Sequence, residues 1–164
     1  MSLYLLVRFL HLASAIVLVG GVVARQLTRS IANRAEDPRS LAAILQAADP
    51  IERYMVIPGS FLAVLFGVVL ALMTGVPIVG FLQGASSNWL LAANVLILLT
   101  IPLVPLVFIP RGKAFGALLQ KALDQGQMTP QLRAGLRDPV VGLCHLFEMA
   151  ALALVVVLMV FKPF

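Results

Sequence analysis

Four apolar stretches, at about residues 3–24, 54–73, 89–109 and 139–161, each approach the roughly 20 residues that an α-helix needs to cross a hydrocarbon core. No other feature of the chain constrains its fold as strongly. Backbone N–H and C=O groups find no water inside a bilayer, so such stretches must satisfy their hydrogen bonds internally, as helices do. With 61% hydrophobic and 12% charged residues and a mean hydropathy of +1.03, the chain is far more apolar than a soluble domain. The expected fold is all-α: a single integral membrane four-helix bundle over residues 1–164, with short amphipathic cytoplasmic helices between the spans.

The connections carry the charge unevenly. Lysine and arginine number five from Arg25 to Arg53, none from Thr74 to Asn88, and five from Arg111 to Asp138. The positive-inside rule then puts the first and third connections in the cytoplasm and both termini outside it, as expected for a multi-pass protein of a bacterial inner membrane. The net charge of +5 follows from these loops, and no nucleic-acid partner is expected. The first stretch has the layout of a signal peptide, with Arg8 as its basic region and Val22-Val23-Ala24 as a cleavage site. It is nevertheless expected to remain as the first membrane helix, with Gly20-Gly21 as a small surface for close helix approach. A single cysteine, Cys144, excludes an intramolecular disulfide.

Local signals place the helix ends. Asp37-Pro38 and Asp49-Pro50 bracket Ser40 to Ala48, where Leu41, Ile44 and Leu45 recur at helical spacing, so an amphipathic helix is expected at the interface. Ala114, Leu118, Leu119 and Ala122 mark another before Gly126. Thr129-Pro130 and Asp138-Pro139 each read as a cap followed by proline at the first helical position. Pro58-Gly59 lies near the start of the second span, and Trp89 opens the third at an interface. Pro102 and Pro105 remove backbone donors and are expected to bend the third span before its end at Pro110.

Ionisable groups within the apolar stretches are costly unless paired or used. They fall in two places: Arg8 and His11 in the first, and His145 and Glu148 in the last. Each pair is three residues apart and therefore shares a helix face. The topology makes Arg8 and Glu148 the outer members of their pairs, so an Arg8–Glu148 ion pair beside a His11–His145 pair is coherent in direction but not clearly in depth. At 1.5 Å per residue His11 and His145 differ in depth by about 10 Å, and Glu148 is closer to the level of His11. Neutral histidine is a common haem or metal ligand, which makes His11 and His145 the candidate cofactor and iron ligands. Glu148 and Arg8 are the candidate catalytic groups, handling a proton or a haem propionate. Cys144 lies about 100° around the helix from His145 and reads as a packing residue.

The order of these elements, with His11 and Gly20-Gly21 in the first helix, Arg25 after it and the ending Met159-Val160-Phe161-Lys162-Pro163-Phe164, resembles a bacterial family of four-helix predicted integral membrane proteins. It is more distantly similar to the HemJ-type protoporphyrinogen oxidases and the copper-resistance D membrane proteins. The HemJ-type likeness implies haem b, oxidation of a porphyrinogen and a first-helix histidine at His11. The chain departs from that pattern in carrying Ile16 to Ala24 where those proteins have an aromatic-rich segment.

Two functions therefore stand side by side. One is a small redox protein with haem b, held by His11 or His145. The other is a non-enzymatic carrier or assembly partner in which Arg8, His11, His145 and Glu148 form a buried polar network without a cofactor. A copper site ranks below both, because two histidines without a methionine-rich motif are a poor set of soft ligands. Expected partners are the lipid bilayer, a haem or porphyrin under the first reading, and a second copy of the chain. No nucleotide loop, nucleophile triad or zinc signature is present.

Overall fold

A computed structural model describes residues 2–164, in which every regular element is helical. The chain runs through α1 (Leu3–Ala32), α2 (Pro38–Ile51), α3 (Ile57–Thr74), α4 (Trp89–Thr100), α5 (Ile109–Gln125), α6 (Pro130–Leu136) and α7 (Pro139–Phe161). Four continuous helical rods are long and apolar enough to cross a membrane: Leu3–Ala32, Pro38–Thr74, Trp89–Gln125 and Pro130–Phe161. Side chains such as Phe9, Ile16, Phe61, Leu72, Leu106 and Val160 are exposed around these rods, as residues facing lipid tails should be. The protein is a multi-pass integral membrane protein.

The helices outrun the apolar stretches. A charge can end a membrane span without ending the helix that carries it, and α1 continues through Arg25 and Arg29 to Ala32. The amphipathic segments form as expected, but as extensions of the spans. α2 joins α3 through a π-helical segment, Glu52–Val56, and α4 reaches α5 through a second, Val104–Phe108. Ile57 and Ile109 donate their N–H groups to the carbonyls of Glu52 and Val104, five residues back. Prolines flank both segments, Pro50 and Pro58 around the first and Pro102 and Pro110 around the second, which itself contains Pro105. A proline in a helix removes a donor and crowds the carbonyl four residues earlier, and widening the turn relieves both. The expected bend at Pro102 and Pro105 thus takes the form of a widened turn.

Antiparallel packing sorts the spans into two pairs, α1 along α3 and α4 along α7. No span of one pair makes more than marginal contact with a span of the other among the described residues; the larger contact between the pairs is α2 on α5. That contact belongs to a small core at the charged end, where Ala32, Ala35, Leu41, Ala122 and Leu132 are buried together. At the opposite end, where the connection from Thr74 to Asn88 carries no charge, the second pair is tied separately. The Phe164 carbonyl accepts from the N–H groups of Asn88 and Trp89 at 3.0 and 3.1 Å, and Lys162 Nζ lies 5.3 Å from the Trp89 ring centroid, a cation–π distance.

Caps fix the short helices of the charged end. Asp37 accepts from the N–H groups of Arg39 and Ser40, each at 2.9 Å. The Ser40 hydroxyl and these backbone N–H groups hold its carboxyl below the ordinary 3.8. Its capping contribution is therefore complete above that value and is lost as the pH falls through the lowered one. Gly75 and Gly126 end α3 and α5 at φ 67°, a conformation that costs glycine nothing. Thr129 accepts from the N–H of Leu132 at 3.2 Å, and Leu132 is fully buried in the small core. Thr129→Ala should lower stability by about 1 kcal/mol and Thr129→Ser should restore it, as read by thermal unfolding in detergent.

Candidate functional site

The site begins with a close approach of α1 to the helix that faces it. Gly59 lies against Leu18, where an added Cβ would stand 2.9 Å from the Leu18 backbone nitrogen. One turn further along α1, a Cβ on Gly21 would meet Met55 Cβ at 2.8 Å and Val56 N at 3.2 Å. Gly20, its neighbour in the pair, has only Met55 Cε at 3.6 Å, so Gly21 is the member that the contact requires. Since the two helices run in opposite directions, the next step along the same register sets Arg25 opposite Glu52. Arg25 Nη1 donates to Glu52 Oε2 at 3.2 Å.

Arg25 also reaches across to the second pair of spans. Its Nη2 donates to Glu148 Oε2 on α7, and His145 Nδ1 lies 3.4 Å from the same oxygen. The His145 ring stacks on Phe108, with centroids 4.5 Å apart and planes 16° from parallel. Phe108 closes one π-helical segment and Glu52 opens the other. Both widened turns therefore supply a residue to one constellation, and such turns concentrate at functional sites. The side chains of Arg25 and Glu148 are each 19% exposed, His145 14% and Glu52 45%. The guanidinium is thus held between one shielded carboxylate and one that is half open. Its Nε is buried without a partner, as is the amide nitrogen of Gln26.

His11 lies elsewhere. Its Nδ1 is 2.9 Å from the Ala63 carbonyl, and the missing side chain of Gly67 makes room for the ring, since a Cβ there would stand 3.0 Å from Cε1. The sequence-based site thus divides. His145 and Glu148 are together, whereas His11, 14 residues before Arg25 on α1, is roughly 20 Å away along the helix axis. Arg8 is exposed and about 25 Å from the level of Arg25 by the same rise. Glu148 pairs with Arg25 and not with Arg8. The reason is that α1 stays helical past the end of its apolar stretch and carries Arg25 to the depth of Glu148.

The family model described as “Predicted integral membrane protein (DUF2269)” matches residues 5–163. The chain belongs to the DUF2269 family. The match takes in both His11 and the Arg25 constellation. No curated protein and no solved structure matches the chain.

In this DUF2269 protein the residues that sequence reasoning did not place in the site are Glu52, Phe108 and Arg25, the last of which entered only as a mark of the family resemblance. For Arg25 a signal was available: Gly21 and Arg25 are four apart, as are Glu52 and Val56, so a helix continued through both would align a glycine contact with an ion pair. Phe108 gives no such signal, because its stacking on His145 depends on the widened turn after Pro105.

Proposed function

We propose that this DUF2269 protein is a non-enzymatic membrane component, a carrier or assembly partner, built on two pairs of spans latched at their charged end. Arg25 carries this reading: one guanidinium on the first pair bonds Glu148 on the second as well as Glu52 on its own. Away from that end the pairs are in only marginal contact, so releasing a few bonds can change the angle between them, as in rigid-body switching about a small interface. His145 gives Glu148 an alternative partner when Arg25 withdraws. The charge asymmetry supports an orientation with the charged end in the cytoplasm of a bacterial inner membrane. The uncovered faces between the pairs suit lipid or a second copy of the chain.

A b-type haem on His11, in keeping with the HemJ-type resemblance, is the second reading, favoured by one contact. A bond from Nδ1–H to the Ala63 carbonyl selects one tautomer and leaves Nε2 with a lone pair for iron. His145 also has its Nδ1 beside an acceptor, but that acceptor, Glu148, is shared with Arg25, and one face of the ring is covered by Phe108. The two histidines are too far apart along the bundle to hold a single haem between them. A bound haem would supply one-electron chemistry.

An absorbance spectrum of protein purified in mild detergent from haem-replete cells separates the readings. The carrier reading predicts no Soret band, with His11→Ala and His145→Ala changing stability or transport alone. A Soret band and a reducible b-type spectrum, lost in His11→Ala and kept in His145→Ala, would overturn it in favour of the second.

A further inference from the structure

Beside the latch, a cavity of about 360 Å³ opens between α1 and the corner where α6 turns into α7. Its polar lining comes from Gln26 and Arg29 on α1 and Asn33 at its C-terminal cap, and from Arg137, Asp138 and His145 on the other side. Gln26, Arg29 and the capping Asn33 are spaced i, i+3, i+7 and so share one face. Arg25, Glu52 and Glu148 do not line it.

The charges in this cavity do not balance. Among the described residues neither Arg29 nor Arg137 has a carboxylate within 4.0 Å. The one carboxylate in the lining, Asp138, is already committed. It bonds Arg111 and accepts from the N–H groups of Val140 and Val141 at 2.9 and 3.3 Å. Gln26 lines the cavity, but its amide nitrogen is buried behind the cavity surface. The cavity therefore offers two guanidinium groups, with its only carboxylate engaged elsewhere. That is a donor set for an anion with several oxygens.

The far side of the cavity is apolar. Gly142, Leu146 and Met149 continue from it along α7 at i, i+4, i+7, and Leu146 and Met149 are 64% and 38% exposed on the lipid-facing surface. An anionic head in the cavity would thus have a continuous apolar track leading from it along the span. Basic pockets between membrane helices at the end of the hydrocarbon region suit phospholipid headgroups.

We propose that this cavity binds a phosphate ester carried by an anionic phospholipid, with Arg29 and Arg137 paired to the phosphate and Leu146 and Met149 flanking the acyl chain. The proposal goes beyond the latch and does not depend on it.

The test uses the full chain in mild detergent, with bound lipid counted by native mass spectrometry. The probes are dioctanoyl phosphatidylglycerol, dioctanoyl phosphatidylcholine, glycerol 3-phosphate and inorganic phosphate. Phosphatidylglycerol is expected to bind at least about tenfold more tightly than phosphatidylcholine, and the two soluble phosphates far more weakly than either lipid. The Arg29→Gln/Arg137→Gln variant should lose about tenfold or more of the phosphatidylglycerol affinity. Arg133→Gln, at an exposed arginine outside the cavity, should bind as the wild type does. The variant Arg29→Lys/Arg137→Lys keeps the charge and should retain part of the affinity, which separates loss of the site from loss of the fold. Equal binding of the two lipids, or phosphatidylglycerol affinity unchanged in Arg29→Gln/Arg137→Gln, would overturn the proposal. Soluble phosphates binding as tightly as phosphatidylglycerol would overturn the lipid as the source.

Discussion

Arg25→Met should lower the unfolding free energy by about 3 kcal/mol, the low end of the cost of leaving a buried charge without its partner. The low end applies because the Arg25 and Glu148 side chains are each 19% exposed rather than fully enclosed. Removing the cation leaves Glu148 with only His145 beside it and Glu52 with no partner. Removing the carboxylate as well should restore much of the loss, because shielded ion pairs exchanged whole for apolar side chains are often close to neutral. Arg25→Met/Glu148→Leu should therefore be more stable than the sum of the two single effects, a coupling that a double-mutant cycle reads directly. Strict additivity would mean that the guanidinium and the carboxylate do not interact.

Gly59→Val carries the second large effect. An added Cβ would stand 2.9 Å from Leu18 N and 3.1 Å from Leu18 Cα, and backbone cannot rotate away as a side-chain tip can. α1 and α3 must then separate, at about 1–3 kcal/mol for overpacking a close contact. The register between these helices also places Arg25 against Glu52, so the displacement should reach the ion pair two turns further along. Gly20→Ala provides the contrast, because its nearest neighbour is the flexible end of Met55 at an ordinary 3.6 Å. Thermal unfolding of the two variants in detergent should show a clear loss for Gly59→Val and little change for Gly20→Ala.

Much of the fold was legible because its signals are local. Four apolar stretches mark four spans, and the Asp138-Pro139 and Thr129-Pro130 starts are where the structure has them, with the expected side-chain caps. The site was less legible because its decisive contacts are long-range. Arg25 looks like the first charge of a loop when the helix is assumed to stop with its apolar stretch. Only the continuation of α1 to Ala32 gives it a depth and a facing helix. Counting residues from the interfaces put Glu148 nearer the level of His11 than His145 is. It could not reveal that His11 is engaged by the Ala63 carbonyl, because a backbone acceptor leaves no trace in side-chain spacing. The prolines announced a distortion but not its kind, and the widened turns they accompany bring in Glu52 and Phe108.

The central claim is that Arg25–Glu148 holds the two pairs of spans together. Its most direct test is a distance distribution between spin labels at the end opposite the latch, at the exposed positions Leu5 on α1 and Val157 on α7, in protein reconstituted into lipid. The latch predicts a single narrow distribution in the otherwise unchanged protein. Glu148→Gln should broaden it by several ångström, on the order of known domain rearrangements, and Glu52→Gln, which disturbs a bond within one pair, should leave it narrow. A distribution unchanged by Glu148→Gln would contradict the latch.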